Sequence, residues 1–278
     1  MMVLAATIGL AALTPAGVAG RSGPATLAHG GAAPGPAAVP AAAPFSLDLS
    51  RPGDFVAQTN FVQCVGASMQ MMLNMIRPSD DRTAATQLRL QNLARSLSGQ
   101  RPDGIVRQGA SVRGWTAGLN TMLGVGTYRT VGSVDLQSAL RLAARAMRET
   151  NRPVGLLVWR GRHAWVMAGF TATADPLLTD DFAVTSVVIL DPLYPYGSST
   201  WGPSPKPRQS ISITALGRQF VARNGGSSLP GGGTDTSRTA PGSAADAFHS
   251  WSAGLAGKFV IVAPYALDRV ARAGHWLS

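Results

Sequence analysis

The 278-residue chain is 45% hydrophobic, enough to bury one good-sized core or two small ones. A single cysteine, Cys64, excludes any intrachain disulfide; packing must supply the stability, and the thiol is left for catalysis, metal binding or inert burial. The formal net charge of +10 rests on arginines scattered singly, with Lys206 and Lys258 the only lysines. Without a basic helix stripe or an aromatic-lined basic groove, that pattern argues against nucleic acid and for a solvated Arg-rich surface, weakly attracted at most to anionic cell-surface polymers.

The chain begins with an apolar run, "MMVLAATIGLAAL", of signal-peptide length, followed by Pro15 and by "GVAG", whose Gly17 and Ala19 are the small residues a signal peptidase requires. No Lys or Arg precedes the run. Residues 1–19 are therefore expected to be a signal peptide cleaved after Ala19, with an uncleaved N-terminal anchor as the alternative, and the mature protein is expected outside the cell. Residues 20–45 are rich in Ala, Pro and Gly and read as an extended linker; the folded domain is expected over 46–278.

Apolar residues nearly all round the segment 65–76 predict a central, buried helix. A second helix is expected over 83–97 with Leu90, Leu93 and Leu97 on one stripe, a short one over 111–121, and a strong one capped by Ser133 with Leu136, Leu140, Ala143 and Met147 on one face. After Pro153 the character changes. "VGLLVWR", "HAWVMAGFTA" and "VTSVVILDP" are Val-, Ile- and aromatic-rich runs between turn residues, expected to be adjacent strands. "ITALGRQFVAR" predicts a helix and "KFVIVAP" a last strand, separated by a Gly/Ser/Thr-rich insertion at about 225–247 expected to be disordered. Helices first and strands second predict an α+β domain, a helical half against a sheet half.

Cys64 falls where a loop turns into the first helix. There a sulfur sits beside unpaired backbone N–H groups and the positive end of the helix dipole, which favours the thiolate a nucleophile needs. Gln58, six positions earlier, can fold its amide back beside the sulfur to share an oxyanion with the Cys64 N–H. A cysteine nucleophile also requires an imidazole with an orienting acceptor. Of the four histidines, His29 lies in the linker, His249 borders the insertion and His275 is near the C-terminus; His163 alone opens an apolar strand. Asp191 ends the strand "VVILDP". If the two strands are antiparallel neighbours, Asp191 lies beside His163 and can fix its tautomer.

Each residue also has a plainer explanation: a buried inert thiol, a satisfied core histidine, a turn-forming Asp before Pro192. A Cys/His/Asp zinc site is a further alternative, though no close ligand pair has chelating spacing. Trp115, Trp165, Trp201 and Trp251 can line a cleft but are more often core residues, and the methionines from Met69 to Met75 read as packing. No serine-nucleophile elbow, metalloprotease helix motif or dinucleotide fingerprint is present.

Taken in order, "QTNFVQC" with "GASM", "GRHAWVMAGF" and "VVILDPLYP" resemble papain-like cysteine peptidases, most closely the bacteriocin-processing-peptidase-like branch. The likeness spans roughly residues 50–265, but only these short stretches carry it. It implies a papain-like α+β fold with Gln58 as oxyanion donor, Cys64 as nucleophile, His163 as base and Asp191 as orienting residue. It also implies a peptide or protein substrate and no cofactor or metal. The chain departs from the family in having Val65-Gly66 where Gly-Pro often follows the Cys. Gln63, just before Cys64, competes with Gln58 for the oxyanion role, and no export module follows. A cell-wall amidase or transpeptidase on the same fold, or a catalytically silent exported binding protein, are the alternative expectations.

Overall fold

The computed structural model describes residues 43–99, 108–224 and 254–265. The expected signal segment, most of the linker, the insertion at about 225–247, His29, His249, His275 and Trp251 lie outside the described residues. Among the described residues no helix is long and apolar enough to cross a membrane.

The chain enters the fold at β1 (Phe45–Asp48), followed by three helices, α1 (Cys64–Ile76), α2 (Ala84–Ser96) and α3 (Val112–Leu123). Next come β2 (Tyr128–Ser133), α4 (Leu136–Thr150), β3 (Val154–Val158), a single 3-10 turn (Trp159–Gly161), β4 (His163–Ala172) and β5 (Val184–Leu190). A small hairpin, β6 (Gly197–Ser198) with β7 (Gly202–Pro203), precedes β8 (Gln209–Ser212), the one-turn helix α5 (Ile213–Gly217) and β9 (Phe259–Pro264). The main sheet runs β2-β9-β3-β4-β5-β8, every pair antiparallel, and β1 pairs with the second half of β4 along the edge that β3 leaves free. This is an α+β domain built on an antiparallel sheet.

The helices do not form one half, as the order of the sequence suggested. Leu157, Ala164, Val166 and Val262 face α1, α2 and α3, whereas Leu156, Val158, Trp165, Met167 and Ile261 pack against α4 and α5. Alternating side chains on strands apolar on both faces need a cover on each side, and the strong apolar stripe of α4 supplies the second one.

Four further expectations are corrected. The cap of α4 is Asp135, whose carboxylate accepts the Ser138 N–H at 2.8 Å, while Ser133 ends β2. The helix expected over "ITALGRQFVAR" stops at Gly217, because Phe220 must turn down into the core. β2 was not anticipated, its Val131 and Gly132 being only half-buried or exposed at a sheet edge. The buried face of α2 is Gln87, Leu90, Gln91 and Ala94, rotated from the Leu90–Leu93–Leu97 stripe.

Candidate active site

Cys64 is the first residue of α1, and its side chain is half-buried. Gln63, at the cap position, provides no side-chain cap; its Oε1 instead accepts a hydrogen bond from the Thr59 hydroxyl. That contact occupies the amide oxygen alone and leaves the Gln63 Nε2 protons uncommitted, so Gln63 still competes with Gln58 for the oxyanion. Within the first turn the Gly66 N–H donates to Gln91 Oε1 at 2.9 Å and the Ala67 N–H to the Gln63 carbonyl at 3.0 Å. The Cys64 N–H has no acceptor among the described residues, so it remains a donor at the positive end of the helix.

His163 opens β4 and is only 4% exposed. Its Nε2 and Asp191 Oδ1 are 2.7 Å apart, with Asp191 wholly buried just beyond β5. The antiparallel pairing of β4 with β5 brings the start of one strand beside the end of the other, as the order of motifs required. Asp191 Oδ1 also accepts the Leu193 N–H at 2.8 Å, which fixes the carboxylate just after β5, while Oδ2 is buried without a partner. A desolvated carboxylate of this kind is best compensated by a cation on its neighbour. Burial works against protonation of His163, but the hydrogen bond it donates to Asp191 and contact with Cys64 outweigh it and raise the pKa to about 9. With Nε2 committed to Asp191, Nδ1 is the ring nitrogen left for the Cys64 sulfur.

Gln58 is joined to this group through its backbone, whose N–H donates to the Pro192 carbonyl at 2.7 Å. Its side-chain Nε2 donates to the Asn60 carbonyl at 2.8 Å, and its Oε1 is buried without a partner. One of the two amide protons is thus engaged within the loop and the second remains available. The loop is therefore pinned beside Asp191, but Gln58 is not preset as a dedicated donor in the way its spacing from Cys64 suggested.

Three supports were not anticipated from sequence. On α2, Gln87 and Gln91 are 1% and 2% exposed and each uses both ends of its amide on the segment 57–66, the loop before α1 and the first turn of that helix. Gln87 accepts the Thr59 N–H at 2.8 Å and donates to the Ala57 carbonyl at 2.9 Å; Gln91 accepts from Gly66 and donates to the Val62 carbonyl at 2.9 Å. Two glutamines one helical turn apart, flanking Leu90, were the available signal. Gly66 permits this approach, because a Cβ there would stand 2.7 Å from the Gln87 carbonyl. Next, Ser68 Oγ donates to the Ala164 carbonyl at 3.2 Å and ties α1 to the strand that carries His163. Last, Trp159 lies flat on the His163 ring.

Among the described residues no group of three or more His, Cys, Asp or Glu side chains is arranged to hold a metal ion. Trp115 and Trp165 are core residues, whereas Trp201 is half-buried beside a cleft. Comparison with protein-family models, curated proteins and solved structures finds no match to this chain.

Proposed function

We propose that this chain is a papain-like thiol hydrolase, a cysteine peptidase that works through an acyl-enzyme on Cys64. The observation that carries the reading is the alignment of a half-buried Cys64 at a helix start with a buried His163–Asp191 pair. The Cys64 thiolate attacks the substrate carbonyl carbon, forming the C–S bond while the carbonyl electrons move to oxygen. The Cys64 N–H and the second Gln58 amide proton stabilise that oxyanion. His163, an imidazolium held by Asp191, gives its proton to the leaving amine as the C–N bond breaks. Water then attacks the acyl-enzyme with His163 as base, the C–S bond breaks and the thiolate returns. No step requires a cofactor. The proposal includes export through residues 1–19.

The test is the rate of Cys64 alkylation by iodoacetamide against pH, in the wild type and in His163→Ala, alongside hydrolysis of a peptide mixture. The two alkylation curves should differ, Cys64→Ser should lose hydrolysis while keeping the fold, and Gln58→Ala should slow turnover by about 10²-fold. Superimposable alkylation curves would show that no Cys–His pair operates and would remove the basis of the proposal.

A further inference from the structure

A cleft of about 370 Å³ opens between the β6–β7 hairpin, β8 and α5. It lies at the same end of the sheet as His163 and Asp191. Gln209, in its wall, pairs with Ile189 two residues before Asp191, and Gln219, also in its wall, holds Trp159. The Gln219 carbonyl accepts the Trp159 backbone N–H and its Oε1 accepts the indole Nε1–H, both at 2.9 Å. Trp159 thus stands between the cleft and the ring it stacks on, His163.

The cleft has a mixed chemistry. Trp201, Pro203, Pro205 and Ile211 give it an apolar, partly aromatic surface. Ser204, 8% exposed, contributes a buried hydroxyl with no hydrogen-bond partner. The Arg218 guanidinium is exposed at the cleft and has no ion pair or hydrogen bond among the described residues. A second guanidinium, that of Arg160, sits 5.9 Å from the Trp201 ring centroid. Among the described residues that line the cleft none is acidic. An apolar surface with an unused hydroxyl and an unpaired guanidinium suits an apolar side chain followed by a carboxylate.

We propose that this cleft is the leaving-group subsite: it takes the departing half of an extended peptide, with an apolar side chain against Trp201 and an acidic residue on Arg218. The assignment rests on the hydrolase reading, because the group that departs is the one His163 protonates, so it leaves on the His163 side. An extended chain advances about 3.3 Å per residue. The 4.2 Å ring stack and the 2.9 Å Trp159–Gln219 bond together span about two such steps, so the cleft wall is reached only after the first two residues of the leaving half.

The experiment titrates full-length Cys64→Ser protein with three C-terminally amidated peptides, Gly-Ala-Leu-Glu, Gly-Ala-Leu-Gln and Gly-Ala-Leu-Lys, by calorimetry at low and high salt. The glutamate peptide should bind about threefold more tightly than the glutamine peptide, as an exposed ion pair allows, and the lysine peptide more weakly than either. Salt should erase the difference, and so should Arg218→Ala. Trp201→Ala should weaken all three. Equal affinities, no binding at all, or a preference that survives Arg218→Ala would overturn the assignment. Hydrolysis of longer peptides ending in the same sequences separates the two claims. Arg218-dependent binding without cleavage leaves the cleft standing and removes the hydrolase reading; cleavage indifferent to the last residue does the reverse.

Discussion

Trp159 lies flat against His163, ring centroids 4.2 Å apart and planes inclined by 20°, although its own backbone is left-handed at φ +55°. Arg160 and Gly161 follow at +56° and +93°, so two non-glycine residues in succession occupy a region that costs of order 1–3 kcal/mol each. The two hydrogen bonds to Gln219 hold the turn in place. What the strain achieves is orientation: the indole covers one face of the imidazole and leaves its edge to Asp191 and Cys64.

The stack should therefore matter to turnover more than to binding. Trp159→Phe keeps a flat ring over His163 and should retain most of the activity. Trp159→Leu fills space without an aromatic face and should lower kcat by up to about tenfold, the value of one aromatic pair, with KM little changed. Steady-state kinetics of the two variants, with Tm as a control for folding, make the comparison. Equal kcat in both would mean the ring only fills volume.

On the proposed mechanism, the His163 pKa of about 9 sets the alkaline side of the pH profile. The leaving group needs the imidazolium, so kcat/KM should fall as pH rises through about 9. Asp191→Asn removes a hydrogen bond that raises the pKa, so the alkaline limb should move to lower pH. The sign for stability follows from the same shift. His163 holds its proton more tightly folded than unfolded, so its contribution is complete below the ordinary value of 6.5 and is lost as pH rises to about 9. Urea midpoints at pH 6 and pH 10 should therefore fall further for the wild type than for His163→Gln. A limb that stays put in Asp191→Asn would show that the carboxylate does not hold the proton on His163.

Gln91→Met should destabilise the fold by about 1–3 kcal/mol, since it leaves the buried Gly66 N–H and the Val62 carbonyl without partners, and Gln87→Met by less, since its partners are backbone groups of the exposed residues Thr59 and Ala57. Both amides hold one loop, so the double variant should lose less than the sum of the two. Turnover should fall in each while KM stays close to the wild-type value. Denaturant unfolding and kinetics on the four proteins of the cycle provide the check. Strict additivity would mean that the two amides hold the loop independently.

Gly66→Ala runs against helix propensity. In an exposed helix the change favours folding by about 1 kcal/mol. Here the new Cβ would stand 2.7 Å from the Gln87 carbonyl and 3.0 Å from the Gln91 backbone nitrogen, so α2 must move away from α1. A net loss of about 1–3 kcal/mol in chemical denaturation is expected, as for overpacking elsewhere. A gain would show that the two helices separate readily.

Much of this site was legible from residues close in sequence. The run of apolar residues after Cys64 defines α1, the turn before His163 opens β4, and Pro192 stops the strand just short of Asp191. These are decisions of a few neighbouring residues about helix, strand or turn, and antiparallel adjacency then brings Asp191 to His163. Local pattern could not show which polar groups the interior would accept. Gln87 and Gln91 are buried because backbone groups at Ala57, Thr59, Val62 and Gly66, 25 to 30 residues away, need partners there. The same kind of distant bond, between Trp159 and Gln219, holds a left-handed turn that the sequence around Trp159 disfavours. Gln58 likewise had the right spacing from Cys64, but the loop carbonyl of Asn60 engaged one of its amide protons. Local propensity decided where the elements lie; only the tertiary structure decided which buried donors and acceptors they had left to satisfy, because those partners are fixed by packing and not by sequence distance.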